Sequence, residues 1–336
     1  MKKCFIIAEA GVNHNGSMDM AERLVLSAKA AGADAVKFQT FCADRLAGKS
    51  AEKAHYQKQD GNACESQHAM LSRLSLNLEQ HRELLQFGRH TGITFLSSPF
   101  DEGSADWLST LDVPLFKIGS GEITNFPLLE SVAKKGKPII LSTGMSRLGE
   151  VEAAVQTIQD AGCRELTLLH CTSSYPADPA DSNLRAMRTL QRAFNLPVGY
   201  SDHTPGIEVS VAAVALGAAV IEKHLTLDKT LPGPDHRASL NPEEFKSMVD
   251  AIRTVEAALG DGVKRAVPSE FNTRDVARKS LVAAIDISEG TVLNETHIAI
   301  KRPGTGLPPG QMPMLMGRKV KRSIRADELF NWKDVG

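Results

Sequence analysis

The feature that most constrains this chain is a regular alternation of short apolar runs with longer stretches of helical period. The runs are CFIIAE (4–9), AVKFQT (35–40), ITFLSS (93–98), LFKIGS (115–120), PIILST (138–143), LTLLHC (166–171), PVGYS (197–201) and AVIEKH (219–224). They are continuously apolar rather than strictly alternating, which suits parallel strands covered on both faces. Between them, MDMAERLVLSAKAAG, LNLEQHRELLQFGRHTG, NFPLLESVAKKG, RLGEVEAAVQTIQDAG and NPEEFKSMVDAIRTVEAALG carry apolar residues at helical spacing. Gly32 reads as a C-cap, and Asn241 before Pro242 as an N-cap with proline in the first turn. Eight strand–helix repeats predict an α/β fold of the (β/α)8 TIM-barrel type. A doubly wound sheet is the alternative, weakened because no G-x-G-x-x-G turn follows the first strand.

The stretch from Phe41 to Leu76 is polar and has no clear period. It is predicted as an extended loop over the barrel mouth after the second strand, a candidate lid. The pattern changes again near Gly260. Residues 1–262 read as the barrel, 263–279 as a polar, loosely helical linker, and 280–336 as a small β-rich module of short strands between Gly and Pro turns.

Composition narrows the functional classes. With 336 residues, 42% hydrophobic and 24% charged, the chain is ordinary for a globular protein with a sizeable core. A formal net charge of −1 argues against general nucleic-acid binding. Residues 263–336 nevertheless carry 13 Lys+Arg against 8 Asp+Glu, a basic surface that is either simply solvated or faces an anionic ligand or an acidic neighbour. Cys4, Cys42, Cys64, Cys163 and Cys171 show no paired spacing, which points to free thiols in a reducing compartment. The first apolar run breaks at Glu9 and Asn13, too early for a signal-peptide core, and VSVAAVALGAAVI is too short to span a bilayer. The expected location is the cytoplasm, away from membranes.

The chemistry collects at the strand ends: Glu9, Lys37 with Gln39, Ser98, Lys117 with Ser120 and Glu122, Ser142, Ser201 with Asp202 and His203, and Glu222 with His224. In a barrel the C-terminal ends of all eight strands meet at one mouth. A single polar strand end means little; seven together need partners that solvation alone does not supply. Two imidazoles on adjacent strands, His203 and His224, suit a divalent transition metal, with Glu9 on the next strand. Hydrogen-bonded core histidines are the bland alternative. Lys37 and Lys117, with Ser98, Ser120, Ser142 and Ser201, form a cradle for an oxyanion-rich ligand. The glycines of IGSGEIT and STGMS let backbone amides approach phosphate. Surface or ion-paired lysines are the alternative for either lysine alone, and a Schiff-base lysine is the competing catalytic reading.

The stretches IIAEAGVNHNGS, KFQTF, SSPFD, KIGSGEITNFPLL, GKPIILSTGM, LLHCTSSYP, GYSDHTPGIEVSVAAVALGA, IEKHLTLDKTLPGPDH and KRPGTGLPP run in order across nearly the whole chain. Together they resemble the sialic acid synthase family, which includes N-acetylneuraminate, legionaminic acid and pseudaminic acid synthases. The resemblance implies a barrel followed by an antifreeze-like SAF module, and a domain-swapped homodimer in which Arg302 of one chain reaches the sugar site of the other. It implies Mn²⁺ or Mg²⁺ on His203 and His224. Phosphoenolpyruvate would meet Lys37, Ser98, Lys117, Ser120, Ser142 and Ser201, with Glu9 near the metal-bound water or sugar. Gln39, Phe100, Glu122, Tyr175 and Asp235 would line the sugar and intermediate site. Ser173 stands where the family pattern has Asn; it still donates to phosphate but over a shorter reach.

The expected reaction is a metal-dependent condensation of phosphoenolpyruvate with open-chain N-acetylmannosamine that releases phosphate, with Glu9 or Glu122 moving protons. The alternative substrate is 2,4-diacetamido-2,4,6-trideoxymannose, the precursor of legionaminic acid. From other classes, a Schiff-base barrel aldolase or a non-enzymatic glycan-binding protein are the rival readings.

Overall fold

A computed structural model describes residues 3–54, 56–59 and 65–336. The described chain forms two compact units, Met1–Asp261 and Gly262–Gly336. In the first, eight strands form one parallel sheet: β1 (Phe5–Gly11), β2 (Ala35–Thr40), β3 (Thr94–Pro99), β4 (Phe116–Ile118), β5 (Ile139–Ser142), β6 (Leu166–Cys171), β7 (Val198–Asp202) and β8 (Val220–His224). Their order, β3-β2-β1-β8-β7-β6-β5-β4, sets the last strand beside the first, and β3 packs against β4 at the remaining seam. This is the (β/α)8 barrel the alternation predicts; a doubly wound sheet would not bring β8 to β1.

The helices begin and end where the side chains dictate. Asn241 caps helix Pro242–Leu259 with a reciprocal box: its Oδ1 accepts from Glu244 N at 2.9 Å, and its own N donates to Glu244 Oε2 at 2.9 Å. Such a cap contributes about 1 kcal/mol. Asn77 caps Leu78–Thr91 in the same way, and that helix ends on Gly92 at φ +72°. Gly32, at φ +84°, follows the C-cap Ala31 of helix Met18–Ala30.

Strand parity divides the barrel into two cores. Residues such as Ile6, Ala8, Val36, Phe38, Leu141 and Ile221 face outward into the main hydrophobic core with the helices. Ile7, Ala35, Leu96, Ile140, Leu169 and Val220 face inward and plug the barrel's lower lumen. Both sets are buried, which is why the strands read as continuous apolar runs although they alternate in direction.

The stretch after β2 departs from the extended loop the sequence predicts. It contains helices Ala43–Leu46 and Gln67–Leu74 and a 3₁₀ turn at Tyr56–Gln59. Met70 and Leu74 are buried with Val12 and Phe41, and Leu46, Leu71 and Phe100 pack against them, so a small separate cluster anchors the segment. Too few apolar residues at helical spacing are present to betray these short helices in the sequence.

In the second unit β9 (Ser280–Ala283) pairs antiparallel with β10 (Ile298–Lys301), and isolated bridges such as Ile287 to Ile324 extend the pairing. Leu281, Ile287, Leu293, Val320, Ile324 and Phe330 form its core. The same unit also holds an exposed helix, Phe271–Ala277, ahead of β9. Cys4, Cys42, Cys163 and Cys171 are unpaired, and Cys64 lies outside the described residues. Among the described residues no helix is long and apolar enough to cross a membrane.

Two buried histidines are expected to make the barrel acid-labile. Burial pushes both His14 and His236 down to about 4, and Thr226 Oγ1 sits 2.7 Å from His236 Nδ1. In the unfolded chain each titrates near 6.5. As pH falls from 6.5 towards 4 the unfolded state therefore takes up protons that the folded state refuses, and stability is lost over that window. The expected result is a fall of a few kcal/mol between pH 7 and pH 4, since each tenfold loss of proton affinity on folding corresponds to about 1.4 kcal/mol. Urea titrations across that range check it; a slope unchanged in His236→Asn would reject the part assigned to His236.

Candidate active site

The inward parity that builds the apolar plug continues upward as a polar layer. Above Ile7 comes Glu9, above Ala35 comes Lys37, above Leu96 comes Ser98, above Ile140 comes Ser142, and above Val220 come Glu222 and His224. The strand register places Glu9 beside Lys37 and beside His224, and Ser201 beside Glu222. Every candidate site residue singled out in the sequence, except Asp202 and Arg302, lines one cavity of about 480 Å³ at this end of the barrel. That is within the range of small-molecule sites. Arg302 belongs to the second unit, where it is exposed and its Nε donates to Ala277 O at 3.1 Å.

The cavity floor is an ion-paired quartet. Lys37 Nζ lies 2.6 Å from Glu9 Oε2 and 3.9 Å from Glu222 Oε2, and Lys117 Nζ lies 3.3 Å from Glu222 Oε1. Lys37 donates to Ser98 Oγ at 3.1 Å, Ser201 Oγ to Glu222 Oε1 at 3.2 Å, and Gln39 Nε2 to Glu9 Oε1 at 3.2 Å. Lys117 also donates to Ile118 O at 3.3 Å. Burial acts first on all four ionisable groups, and their neighbours decide the outcome. Burial drives the Lys117 ammonium down against the pull of Glu222, whereas for Lys37 the two carboxylates overcome burial and raise it. Glu222 is held below the usual carboxylate range because its two lysines outweigh its burial. Burial and the Glu222 charge push Glu9 up, so it is the carboxyl of the pair that can carry a proton.

Ser120, Ser142 and Ser173 add hydroxyls from the ends of β4, β5 and β6. Ser142 Oγ is buried without a hydrogen-bond partner. Gly144 N donates to Ser120 Oγ at 2.9 Å, and a Cβ at position 144 would stand 2.3 Å from Ser173 Oγ and 2.9 Å from both Ser120 Oγ and Cys171 Sγ. Glycine is thus required here for the hydroxyls to crowd one point. The cavity is also lined by Phe100, Tyr56 and Tyr175. Tyr175 stacks on Tyr56 at 4.8 Å between ring centroids and leans on His203 at 4.2 Å. Glu122 is half-buried at the rim, its Oε2 accepting from Asn125 Nδ2 at 2.7 Å, and burial raises it. Asp235 is buried beside Glu9 and pushed up to about 7 by that burial and by the Glu9 charge.

His203 and His224 stand with ring centroids 5.6 Å apart. His203 Nδ1 donates to Thr172 O at 2.8 Å, which leaves its Nε2 free. His224 Nδ1 is buried without a hydrogen-bond partner, 4.0 Å from Asp235 Oδ2. Burial holds both rings below their usual range, so they are neutral donors. Among the described residues no group of three or more His, Cys, Asp or Glu side chains is gathered as a closed cation cage. A pair of neutral imidazoles, one with an orphaned nitrogen and the other oriented by a backbone carbonyl, fits an open divalent-metal site that completes its shell with water and substrate oxygens.

Strand parity also corrects one residue expected at the mouth. Asp202 faces the helices, where Lys223 Nζ lies 2.8 Å from its Oδ2, both side chains fully buried. Conversely, Glu222 bridges both lysines, and Cys171 and Tyr56 line the cavity although nothing in their sequence context marks them out. Counting alternate residues from Ser201 would have placed Asp202 outside, as the same count back from His224 keeps Glu222 inside.

A model of the NeuB family matches residues 24–264, and a model of the SAF domain matches residues 278–336. The chain belongs to the NeuB family. An N,N'-diacetyllegionaminic acid synthase of Campylobacter jejuni is 48% identical over 332 residues, covering 98% of this chain and 99% of the relative. The enzyme of the same name from Legionella pneumophila is 47% identical over 336 residues, covering 99% and 94%. The human N-acetylneuraminate-9-phosphate synthase is 40% identical over 328 residues, covering 97% and 90%. A crystal structure of a sialic acid synthetase from Leptospira borgpetersenii in complex with citrate superposes with a TM-score of 0.72 at 35% identity, covering 81% of this chain and 90% of the other. For this NeuB-family chain, the SAF match falls within the second unit, whose core is the small β-rich one described above.

Proposed function

We propose that this NeuB-family protein condenses phosphoenolpyruvate with 2,4-diacetamido-2,4,6-trideoxymannose, releases phosphate and forms N,N'-diacetyllegionaminic acid. The observation that carries the reaction class is the cavity floor: two buried ammonium groups ringed by hydroxyls and set below a pair of neutral imidazoles. For the sugar, the identity to the two legionaminic acid synthases exceeds that to the human N-acetylneuraminate-9-phosphate synthase. N-acetylmannosamine, the first expectation from the sequence, therefore yields to the diacetamido sugar.

Lys37, Lys117 and the surrounding serines hold the phosphate and carboxylate of phosphoenolpyruvate, with Glu222 keeping the lysines charged in a water-poor site. The unpartnered Ser142 hydroxyl is free to meet the anion. Tyr175, Phe100 and Gln39 hold the open-chain sugar so that its aldehyde carbon faces the phosphoenolpyruvate methylene carbon. That methylene carbon forms the new C–C bond. Water adds to the former enol carbon, whose C–O bond to phosphate then breaks. Glu9, raised by burial and 3.2 Å from Gln39, supplies and recovers the protons at its carboxyl oxygens. Glu122, at the rim, takes the outer sugar hydroxyls rather than the reacting atoms. His203 and His224 would hold Mn²⁺ or Mg²⁺, which when bound supplies Lewis-acid polarisation of the aldehyde. The site is completed in a domain-swapped homodimer by Arg302 of the partner subunit, and the protein works in the cytoplasm.

The deciding measurement is phosphate release from phosphoenolpyruvate with Mn²⁺ and each sugar in turn. Turnover of the diacetamido sugar at a kcat/KM at least about 10-fold above N-acetylmannosamine is expected, the range one altered substituent commands in a shaped pocket. Preference for N-acetylmannosamine would reject the substrate. Borohydride trapping of a Lys117 or Lys37 adduct, with activity intact in chelator, would replace the mechanism by a Schiff-base one.

A further inference from the structure

The outer face of β7 and β8 carries a feature that packing alone does not explain. Elsewhere the outward positions of these strands are filled by Val198, Tyr200 and Ile221, all in the main core. At Asp202 and Lys223 the same face holds a carboxylate and an ammonium, each with no exposed side-chain surface. Buried ion pairs are often replaceable by apolar residues of similar volume without loss of stability, so packing does not by itself call for charges here.

Every polar atom of the pair is engaged. Asp202 Oδ1 accepts from Thr204 N at 2.9 Å and from Thr204 Oγ1 at 2.7 Å. Asp202 Oδ2 accepts from Ser210 Oγ at 2.6 Å and from Lys223 Nζ at 2.8 Å. Lys223 Nζ also donates to Thr204 O at 2.6 Å. The network therefore ties together the end of β7, the turn after it, the first turns of helix Glu208–Ala215 and the end of β8. Its members alternate along the chain with the inward residues: Asp202 and Thr204 flank His203, and Lys223 lies between Glu222 and His224. The backbone that presents both imidazoles is clamped from behind, while Thr172 O holds the His203 ring from the side.

We infer that Asp202, Lys223 and Ser210 are positioning residues that fix the spacing of His203 and His224 by locking the ends of β7 and β8 to each other and to the following helix. The inference rests on the proposed metal role of the two histidines. Directional bonds specify a geometry that apolar contacts would leave free to drift, and outer groups that orient metal ligands typically govern metal affinity by about 10–100-fold.

The test uses the full-length protein and Mn²⁺ alone as the probe. The double variant Asp202→Leu/Lys223→Met removes both charges together, so neither is left buried and unpaired; its unfolding midpoint is expected to fall modestly with the fold intact, because Thr204 and Ser210 lose their buried acceptor. Its Mn²⁺ dissociation constant, read by calorimetry or by the spectrum of free Mn²⁺, is expected to rise about 10–100-fold. Lys223→Arg, which keeps a charge and donors to Asp202, is expected to recover part of that loss. A stably folded double variant that binds Mn²⁺ as tightly as the native protein would overturn the positioning role. His224→Ala with undiminished Mn²⁺ binding would instead overturn the metal assignment beneath it, so the two failures are distinguishable.

Discussion

Replacing either His203 or His224 by alanine is expected to lower kcat about 1,000-fold at saturating substrates and fixed Mn²⁺, with the fold intact. Lewis-acid polarisation of a carbonyl contributes several kcal/mol to the transition state, and about 4 kcal/mol corresponds to that factor. The loss falls on chemistry rather than on stability because both rings line an existing cavity. Truncating them enlarges that space rather than creating a sealed void, and the His224 Nδ1 forfeits no hydrogen bond. The Thr172 carbonyl that loses His203 lies in a part-buried contact near the cavity, where water can replace the ring. Phosphate release, Mn²⁺ binding and thermal unfolding on the same preparations separate the effects. Full activity of either variant at limiting metal would remove that histidine from the site.

The second large effect concerns the quartet itself. Glu222→Gln keeps the shape of the side chain but leaves Lys117, 3.3 Å from Glu222 in the native protein, without its carboxylate. Lys37 keeps Glu9 at 2.6 Å. Removing one member of a buried ion pair typically costs about 3–5 kcal/mol, because the charge left behind is desolvated and uncompensated. For a barrel of this size the unfolding midpoint is expected to fall by about 10 °C, at roughly 2–4 °C per kcal/mol. Burial already drives the Lys117 ammonium down, and without Glu222 it goes lower still. Part of the cost is then escaped by shedding the proton, and the KM for phosphoenolpyruvate is expected to begin rising at a lower pH than in the native protein, because the uncharged amine cannot hold the anion. A variant with native KM and native unfolding midpoint would show that Glu222 is a bystander.

The fold and most of the candidate site were legible in the sequence for one reason. Parallel barrel strands are buried on both faces, so they appear as eight dense apolar runs, and a closed barrel delivers all their C-terminal ends to one mouth. Glu9, Lys37, Ser98, Lys117, Ser142, Ser201, His203 and His224 could be collected from the ends of those runs alone. The same density hid the direction of each side chain. Asp202 and Ser201 are neighbours in sequence but face opposite layers, and Lys223 sits between two residues that face the cavity. The helices after β2 were hidden for a different reason: they are held by a local cluster around Met70 and Leu74 rather than by an amphipathic period of their own.

What the sequence determined by itself was therefore the strand–helix count, the closure it implies, and the set of groups available at the mouth, because periodicity and burial follow from the order of residues along one chain. What only the tertiary structure decided was which groups share a charge: Glu222 between two lysines, Glu9 against Lys37, and Asp202 with Lys223 on the far side of the wall. Those pairings depend on the register between strands distant in sequence, and a displacement of one residue would send each side chain to the other face.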